Sequence, residues 1–161
     1  MPRKPLGTYA RSTGDWYQHG ARGFAFQVSA AAAQFSYIGL FNNSTTGAYL
    51  FVLALNAWAT NSSSVVLEYT QGSGGLTLQT TQQMQVDPLS SVIAGQLFTG
   101  HTAVCIGTEF YWISNPASPS VFDWQHDFPI AAIPPGWMFT VHPTNTNCLL
   151  NVGMMWIALQ E

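Results

Sequence analysis

The sequence has very little charge, and its positive charge is confined to one end. Only 7% of the 161 residues are charged, against about 25% in ordinary soluble proteins. Residues 23–161 contain neither Lys nor Arg, and the whole chain has four basic residues: Arg3, Lys4, Arg11 and Arg22. Lys usually protects free sheet edges, and a monomer with so few charges would be poorly soluble. We therefore expect much of the surface to be buried in an oligomer or a larger assembly; the alternative is that Thr, Gln and Asn alone keep it soluble.

Several classes of function lack the residues that they need. Without Lys or Arg in the body, phosphoryl, nucleotide and acidic-substrate chemistry would have no partner for the anion. There is no phosphate-binding loop, no Gly-x-Gly-x-x-Gly motif and no Gly-x-Ser-x-Gly elbow. Asn56, Thr60 and Asn61 interrupt the longest apolar run, which therefore falls short of the ~18 residues of a membrane helix. The N-terminus has no apolar region of a signal peptide. We predict no cofactor and no membrane partner.

Potential metal ligands are scattered along the chain. A zinc site usually shows paired His or Cys ligands at short spacings. His101 and Cys105 are four residues apart, but in a segment without a helical pattern, so no metal ligand is predicted. Cys105 and Cys148 each lie in an apolar run, where free Cys behaves as a small buried hydrophobe; whether the two are paired stays open.

The densest ionisable cluster is Asp123, His126 and Asp127. A His between carboxylates could act as an acid–base pair. On a strand, however, the two Asp residues would share one face about 13 Å apart, with His126 on the other face. We interpret the cluster as a solvent-facing acidic edge and predict no catalytic residue and no enzyme; a hydrolase that uses this cluster is the hypothesis to exclude.

The pattern of apolar residues predicts an all-β fold. Eight to ten strand candidates recur every 8–12 residues, separated by turn residues and without a convincing helix, which is typical of an antiparallel β-sandwich or barrel. The strand number fits a jelly roll. We predict an extended basic arm over residues 1–22 and a jelly-roll-like β-sandwich over residues 23–161. Within it, Gln71–Gly75 is predicted as an exposed loop of special conformation and Val104–Ile106 as a short strand.

The chain closes with its most hydrophobic and best-punctuated segment. Pro134-Pro135-Gly136 predicts a tight turn, followed by alternation in which Trp137 shares one face with Phe139 and Val141, and that face alone is buried. An Asn/Thr loop and a second apolar strand then predict a hairpin in mid-sheet. This fold corner, Pro134, Pro135, Gly136, Trp137 and Trp156, is expected to fix the register and to bury both Trp side chains.

Two groups of residues are candidates for binding. The arm is predicted to dock on an acidic protein neighbour, because its charge is thin for nucleic acid and aromatic residues anchor interfaces; a flexible tail is the alternative. The docking residues are Arg3, Lys4, Tyr9, Arg11, Trp16, Tyr17 and Arg22. Trp58, beside a predicted loop, is a candidate for stacking on a glycan.

One stretch resembles a known family. The stretch begins with Phe128-Pro129-Ile130 and continues with Ile133-Pro134-Pro135-Gly136-Trp137 and an alternating strand. Pro143, an Asn/Thr turn and a last strand with Trp156 follow. This pattern resembles the C-terminal part of small jelly-roll virion proteins of tailed bacteriophages. These are turn and core residues, so the resemblance implies no catalytic residue. It implies a non-enzymatic virion protein assembled in the host cytoplasm.

The resemblance also implies partners. They would be further copies of the chain in a homotrimer, and the major capsid protein or another virion protein, with no nucleic acid bound. A capsid decoration (cement) or head-fibre protein is the first expectation. A tail-fibre or receptor-binding head, or a carbohydrate-binding module, is the alternative.

Overall fold

The computed structural model describes residues 22–61, 64–79, 84–85, 94–114, 120–125 and 129–159, with backbone alone for 84–85, 111–114 and 120–125. These residues form twelve strands: β1 Arg22–Val28, β2 Phe35–Phe41, β3 Tyr49–Ala59, β4 Ser64–Gln71, β5 Thr77–Gln79, β6 Met84–Gln85, β7 Gln96–Thr102, β8 Thr108–Ser114, β9 Ser120–Gln125, β10 Ala131–Ile133, β11 Trp137–Pro143 and β12 Leu150–Leu159. Over this part of the chain no helix is long and apolar enough to cross a membrane. The predicted all-β class is confirmed.

The strands pair as a nested hairpin that is wrapped into two sheets. β1 pairs with β12, β2 with β11, β3 with β10 and β9, and β4 with β8, all antiparallel. The pairs β12–β3 and β11–β4 then join these hairpins side by side. Apart from β9, the eight strands connected in this way form a jelly roll, so the predicted antiparallel sandwich is confirmed. Sheet A has the order β10-β3-β12-β1-β6, with β9 also on β3, and sheet B the order β5-β7-β2-β11-β4-β8.

The two closing strands do not form the predicted hairpin. β11 lies in the middle of sheet B and β12 in the middle of sheet A, so the loop between them connects two sheets rather than two neighbours. The prediction of two central strands is confirmed, and that of their pairing is wrong. A short polar loop is compatible with either connection, and two largely apolar strands bury more surface when each lies in the middle of its own sheet.

An extra segment enlarges sheet B and forces the chain to cross it. β7 lies beside β2 near one edge of sheet B, whereas the next strand, β8, forms the opposite edge. Residues 103–107 must therefore traverse the sheet; we call them the crossover. The predicted strand Val104–Ile106 is wrong, because these residues belong to the crossover, and Ile106 packs on the outer face of sheet B beside Tyr37 and Met138.

The main core lies between the sheets and is centred on Trp156. This side chain is fully buried, its ring lies 5.8 Å from that of Phe24, and its Nε1–H donates to the carbonyl of Ala94 at 3.0 Å. Gly95, with φ 103°, passes so close that a Cβ there would lie 2.5 Å from Trp156 Nε1. The prediction that Trp156 is buried is confirmed, and its one polar atom is satisfied, as a buried indole requires.

Both sheets also carry apolar residues on their outer faces. On sheet A these residues, which we call the sheet A patch, alternate with core residues along β3 and β12: Phe51, Leu53, Met155, Ile157 and Leu159. On sheet B the outer cluster contains residues of β2, β7 and β11 together with Leu76 and the crossover: Phe35, Tyr37, Phe41, Leu76, Phe98, Ile106 and Met138. β11 is thus buried on both faces, contrary to the single buried face that its alternation predicted.

Candidate functional site

A group of polar side chains is buried on the outer face of sheet B, where an all-β domain normally meets solvent. We call it the polar cluster. It consists of Tyr37, Glu68, Thr70, Thr140 and His142, each at most 4% exposed. Cys105 and Glu109 lie at its margin. Buried polar groups are normally hydrogen-bonded, so this cluster calls for a physical account.

Strand register brings the cluster together. Glu68 of β4 is the direct partner of Thr140 on β11 and of Glu109 on β8. Directly opposed side chains have Cβ atoms about 4.5–5.5 Å apart, so two carboxyl groups face each other across β4 and β8. Like charges in this arrangement are destabilising, and residues 23–161 contain no Lys or Arg.

His142 is fixed in position and in tautomer. Its ring stacks on Tyr37 with centroids 4.6 Å apart and meets Phe35 edge-on at 5.7 Å. Its Nδ1 lies 2.9 Å from the carbonyl oxygen of Pro143. A carbonyl can only accept, so Nδ1 carries the hydrogen and donates it. In the neutral ring, Nε2 then presents a lone pair.

That lone pair lies close to Glu68. His142 Nε2 is 3.6 Å from Glu68 Oε2, and both atoms are buried without a hydrogen-bond partner. The other carboxylate oxygen, Oε1, accepts from the Thr140 hydroxyl at 3.1 Å. A neutral imidazole nitrogen and a carboxylate oxygen repel in a buried site, so a cation between them, either a proton or a metal ion, would stabilise the cluster.

The crossover closes the cluster and brings Cys105 to it. Gly107 permits this path, because a Cβ there would collide with Thr70 Oγ1 and with the carbonyl oxygen of Tyr69. The Cys105 thiol points to Glu109 Oε1 at 3.6 Å. Partial burial raises the pKa of Cys105. The hydrogen bond to Glu109 and the negative charges of Glu109 and Glu68 raise it further. Without a nearby cation the thiol stays protonated at neutral pH and is a poor nucleophile.

Two hydroxyl groups complete the cluster. The Tyr37 hydroxyl and Thr70 Oγ1 are buried and make no hydrogen bond of good geometry, although the Tyr37 hydroxyl lies near the Cys105 thiol and the Ile106 backbone. Burial, and after it the negative charge of Glu68, raise the pKa of Tyr37, so its phenol stays neutral. The cluster therefore offers a carboxylate, an imidazole and a thiol close together, and it contains no Lys or Arg.

The predicted fold corner is present but buries only one of its two Trp residues. The Gly136 N–H donates to the Asn42 carbonyl at 2.9 Å, and the Gly136 carbonyl accepts from Gly72 N–H at 2.9 Å. Gly136 has φ +78°, as the turn requires. Trp137, however, is 37% exposed, so the prediction of its burial is wrong. Trp137 is paired with Gln71 of β4, but the pairing of β11 with β2 begins only at Met138.

Other predicted residues are less informative. Arg22 is the first residue of β1 and is buried, so the sheet begins one position before the predicted boundary. The remaining arm residues, with His126, Asp127 and Phe128, lie outside the described residues, as does the side chain of Asp123. The loop at Gln71–Gly75 is confirmed as special in conformation, since three of its glycines have positive φ: Gly72, Gly74 and Gly75.

Trp58 matches its expected surroundings, whereas Cys105 does not. Trp58 is half-buried near the end of β3, just before the turn at residues 60–61. Cys105 and Cys148 are both free thiols, and only Cys148 is buried. Cys105 was expected inside a strand; it is exposed because it belongs to the crossover.

The residues of the polar cluster were missed from the sequence. Glu68, Glu109 and His142 are far apart in the chain and form no motif. The one available signal was the lack of Lys and Arg, since a buried carboxylate in such a body has no ordinary counter-ion.

Comparison with known proteins does not place the chain in a family. No protein-family model matches the sequence, and no curated protein is detectably similar to it.

Proposed function

We propose that the protein is a non-enzymatic structural component of a virion, of the capsid decoration (cement) or head-fibre type. It assembles with copies of itself into a homotrimer. It docks on the major capsid protein or another virion protein through the residues that precede β1.

The observation that carries this proposal is the sheet A patch. Phe51, Met155 and Leu159 are half-buried apolar side chains on the outer face of the sheet, around the buried Leu53 and Ile157. Contiguous apolar surface of this kind is typical of protein–protein interfaces. The jelly roll is consistent with a virion protein, but lectins and other domains share it, so the fold alone does not decide the function.

The lack of basic residues supports self-association. Lys guards exposed sheet edges in monomeric β proteins, and residues 23–161 contain none. A jelly roll whose edges carry no Lys is protected if its edges and patch are covered by neighbouring subunits.

The first test is the mass in solution. Multi-angle light scattering of the full chain should give three times the 17.5 kDa chain mass, unchanged on dilution. A monomer at all concentrations would contradict the proposal.

The second test concerns the virion. Mass spectrometry of gradient-purified particles of the phage that carries the gene should detect the protein. Deleting residues 1–21 should leave the oligomer intact and remove it from the particles; full incorporation of the truncated chain would exclude docking by the arm.

A second candidate function, glycan binding by a receptor-binding head, is favoured by one observation. The half-buried Trp58 is the direct register partner of Asn151 and lies two residues from the exposed Asn56. An aromatic ring flanked by amides on one face can stack on and hydrogen-bond a sugar. Glycan-array binding that Trp58→Ala abolishes and Trp137→Ala preserves would support this function.

A further inference from the structure

The margin of the polar cluster brings together three kinds of metal ligand from three separate segments. Cys105 comes from the crossover, Glu109 from β8 and His142 from β11. Their ligand atoms all lie within 4.8 Å of one another. Zinc bonds of about 2.0–2.3 Å place tetrahedral ligands about 3.3–3.8 Å apart. The three side chains therefore need to approach by about 1 Å, which rotation about side-chain bonds provides.

A fourth candidate ligand lies beside one member of this group, His142. Glu68 Oε2 lies 3.6 Å from His142 Nε2, within the range of two ligands on one ion, and neither buried atom has a hydrogen-bond partner. Both atoms are thus available to a shared ion.

The surroundings of His142 match those of a metal-bound imidazole. Metal-binding His residues usually donate their second ring N–H to a carboxylate or a backbone carbonyl, which orients the ring. His142 does so through Nδ1 to Pro143, and the stacked Tyr37 ring holds its plane. Glu68 is oriented in the same way by the Thr140 hydroxyl.

Charge favours a cation at this site. Glu68 and Glu109 face each other directly, and residues 23–161 contain no Lys or Arg. A proton on His142 would compensate one carboxylate and would leave the thiol of Cys105 without a role. A divalent ion offsets two of the three negative charges of Glu68, Glu109 and the Cys105 thiolate, and it explains the thiol.

We propose that Cys105, Glu109, His142 and Glu68 bind a divalent transition-metal ion, and that this ion is zinc. The combination of sulfur, nitrogen and oxygen ligands in four-coordinate geometry is the one that zinc prefers, whereas calcium and magnesium take oxygen alone. Binding releases the thiol proton of Cys105 to solvent and replaces it with the Zn–S bond. The ion fastens the crossover to sheet B, and it reaches the site from the exposed Cys105 side.

The test is zinc titration of the full chain, stripped with EDTA and kept reduced, by isothermal titration calorimetry. We expect one ion per chain, and an affinity lowered at least about tenfold in Cys105→Ser and in Glu109→Gln. Both positions lie at the margin of the cluster, so these variants should fold. Cys148→Ser and His101→Gln are matched controls that remove a thiol and an imidazole elsewhere, and both should bind zinc as the parent does.

Cobalt substitution provides a readout that a purely structural role would not change. The Co²⁺-loaded protein should show a thiolate-to-metal charge-transfer absorption that Cys105→Ser removes and Cys148→Ser keeps. The proposal is overturned if the parent chain takes up no stoichiometric zinc. It is equally overturned if Cys105→Ser binds zinc as tightly as the parent.

Discussion

On the outside of sheet A, Phe51, Met155 and Leu159 are half-buried apolar side chains on the face that points away from the core. On the outside of sheet B, comparable apolar side chains lie beside the crossover, which also covers buried carboxyl, imidazole and hydroxyl groups. The two faces belong to equivalent layers of one jelly roll. They differ because β7 and β8 lie at opposite edges of sheet B, so the chain itself must cross that face. One face thus suits a partner, and the other contains a site closed by the protein's own chain.

The largest loss of stability is expected from a substitution in the core between the two sheets. Trp156→Ala should lower the free energy of unfolding by about 3–5 kcal/mol, because it leaves a large cavity between the sheets and an unpaired Ala94 carbonyl. Trp137→Ala, at the exposed end of the same predicted corner, should cost about 1 kcal/mol or less. Urea unfolding measures both; equal losses would mean that the core is not centred on Trp156.

The next effect tests whether the crossover closes sheet B. Gly107→Val should lower the free energy of unfolding by about 1–3 kcal/mol, because its side chain would collide with Thr70 and the Tyr69 carbonyl. Val104→Ala is the control on the same crossover; at 69% exposure it should change stability by less than about 0.5 kcal/mol. If Gly107→Val were as stable as the parent by thermal unfolding, the crossover would not lie against β4.

The sheet A patch can be tested without disturbing the core. Met155→Lys places a charge on the outer face, where the long side chain can reach solvent in a monomer but would be desolvated between subunits. Light scattering should therefore show a shift from the oligomer to the monomer with little loss of folded-state circular dichroism. Val104→Lys adds the same charge on the sheet B side and should leave the oligomer unchanged; dissociation by Val104→Lys instead would assign the interface to the wrong face.

The sequence predicts what depends on neighbours along the chain. Strand positions, the special loop at Gln71–Gly75 and the burial of Trp156 follow from local alternation and turn residues. Alternation also places Phe139 and Thr140 on opposite faces of β11, but it cannot show that both faces are buried. That outcome depends on the crossover, whose path is set by which edges β7 and β8 join.

The candidate site was out of reach of the sequence for the same reason. Glu68 and Glu109 meet only through the β4–β8 register, which shifts between Leu67 and Glu68. A pairing shifted by one residue would place them on opposite faces. No spacing in the chain encodes that register, so ligands from the crossover, β8 and β11 form no recognisable motif.

The smallest expected change in stability, that of Glu68→Gln, distinguishes a proton on His142 from a metal ion as the cation that compensates Glu68. In the metal-free protein, Glu68→Gln removes the like charge opposite Glu109 while the amide oxygen can still accept from Thr140. It should therefore raise the free energy of unfolding by about 0.2–1 kcal/mol. In the presence of zinc the same variant loses a ligand, so the zinc-induced rise in melting temperature should shrink. If a protonated His142 instead stabilised Glu68, the substitution would break a buried ion pair and cost about 3–5 kcal/mol without any metal. Because the two explanations predict opposite signs in the metal-free protein, thermal unfolding of this variant with and without zinc decides between a proton and a metal ion in the polar cluster.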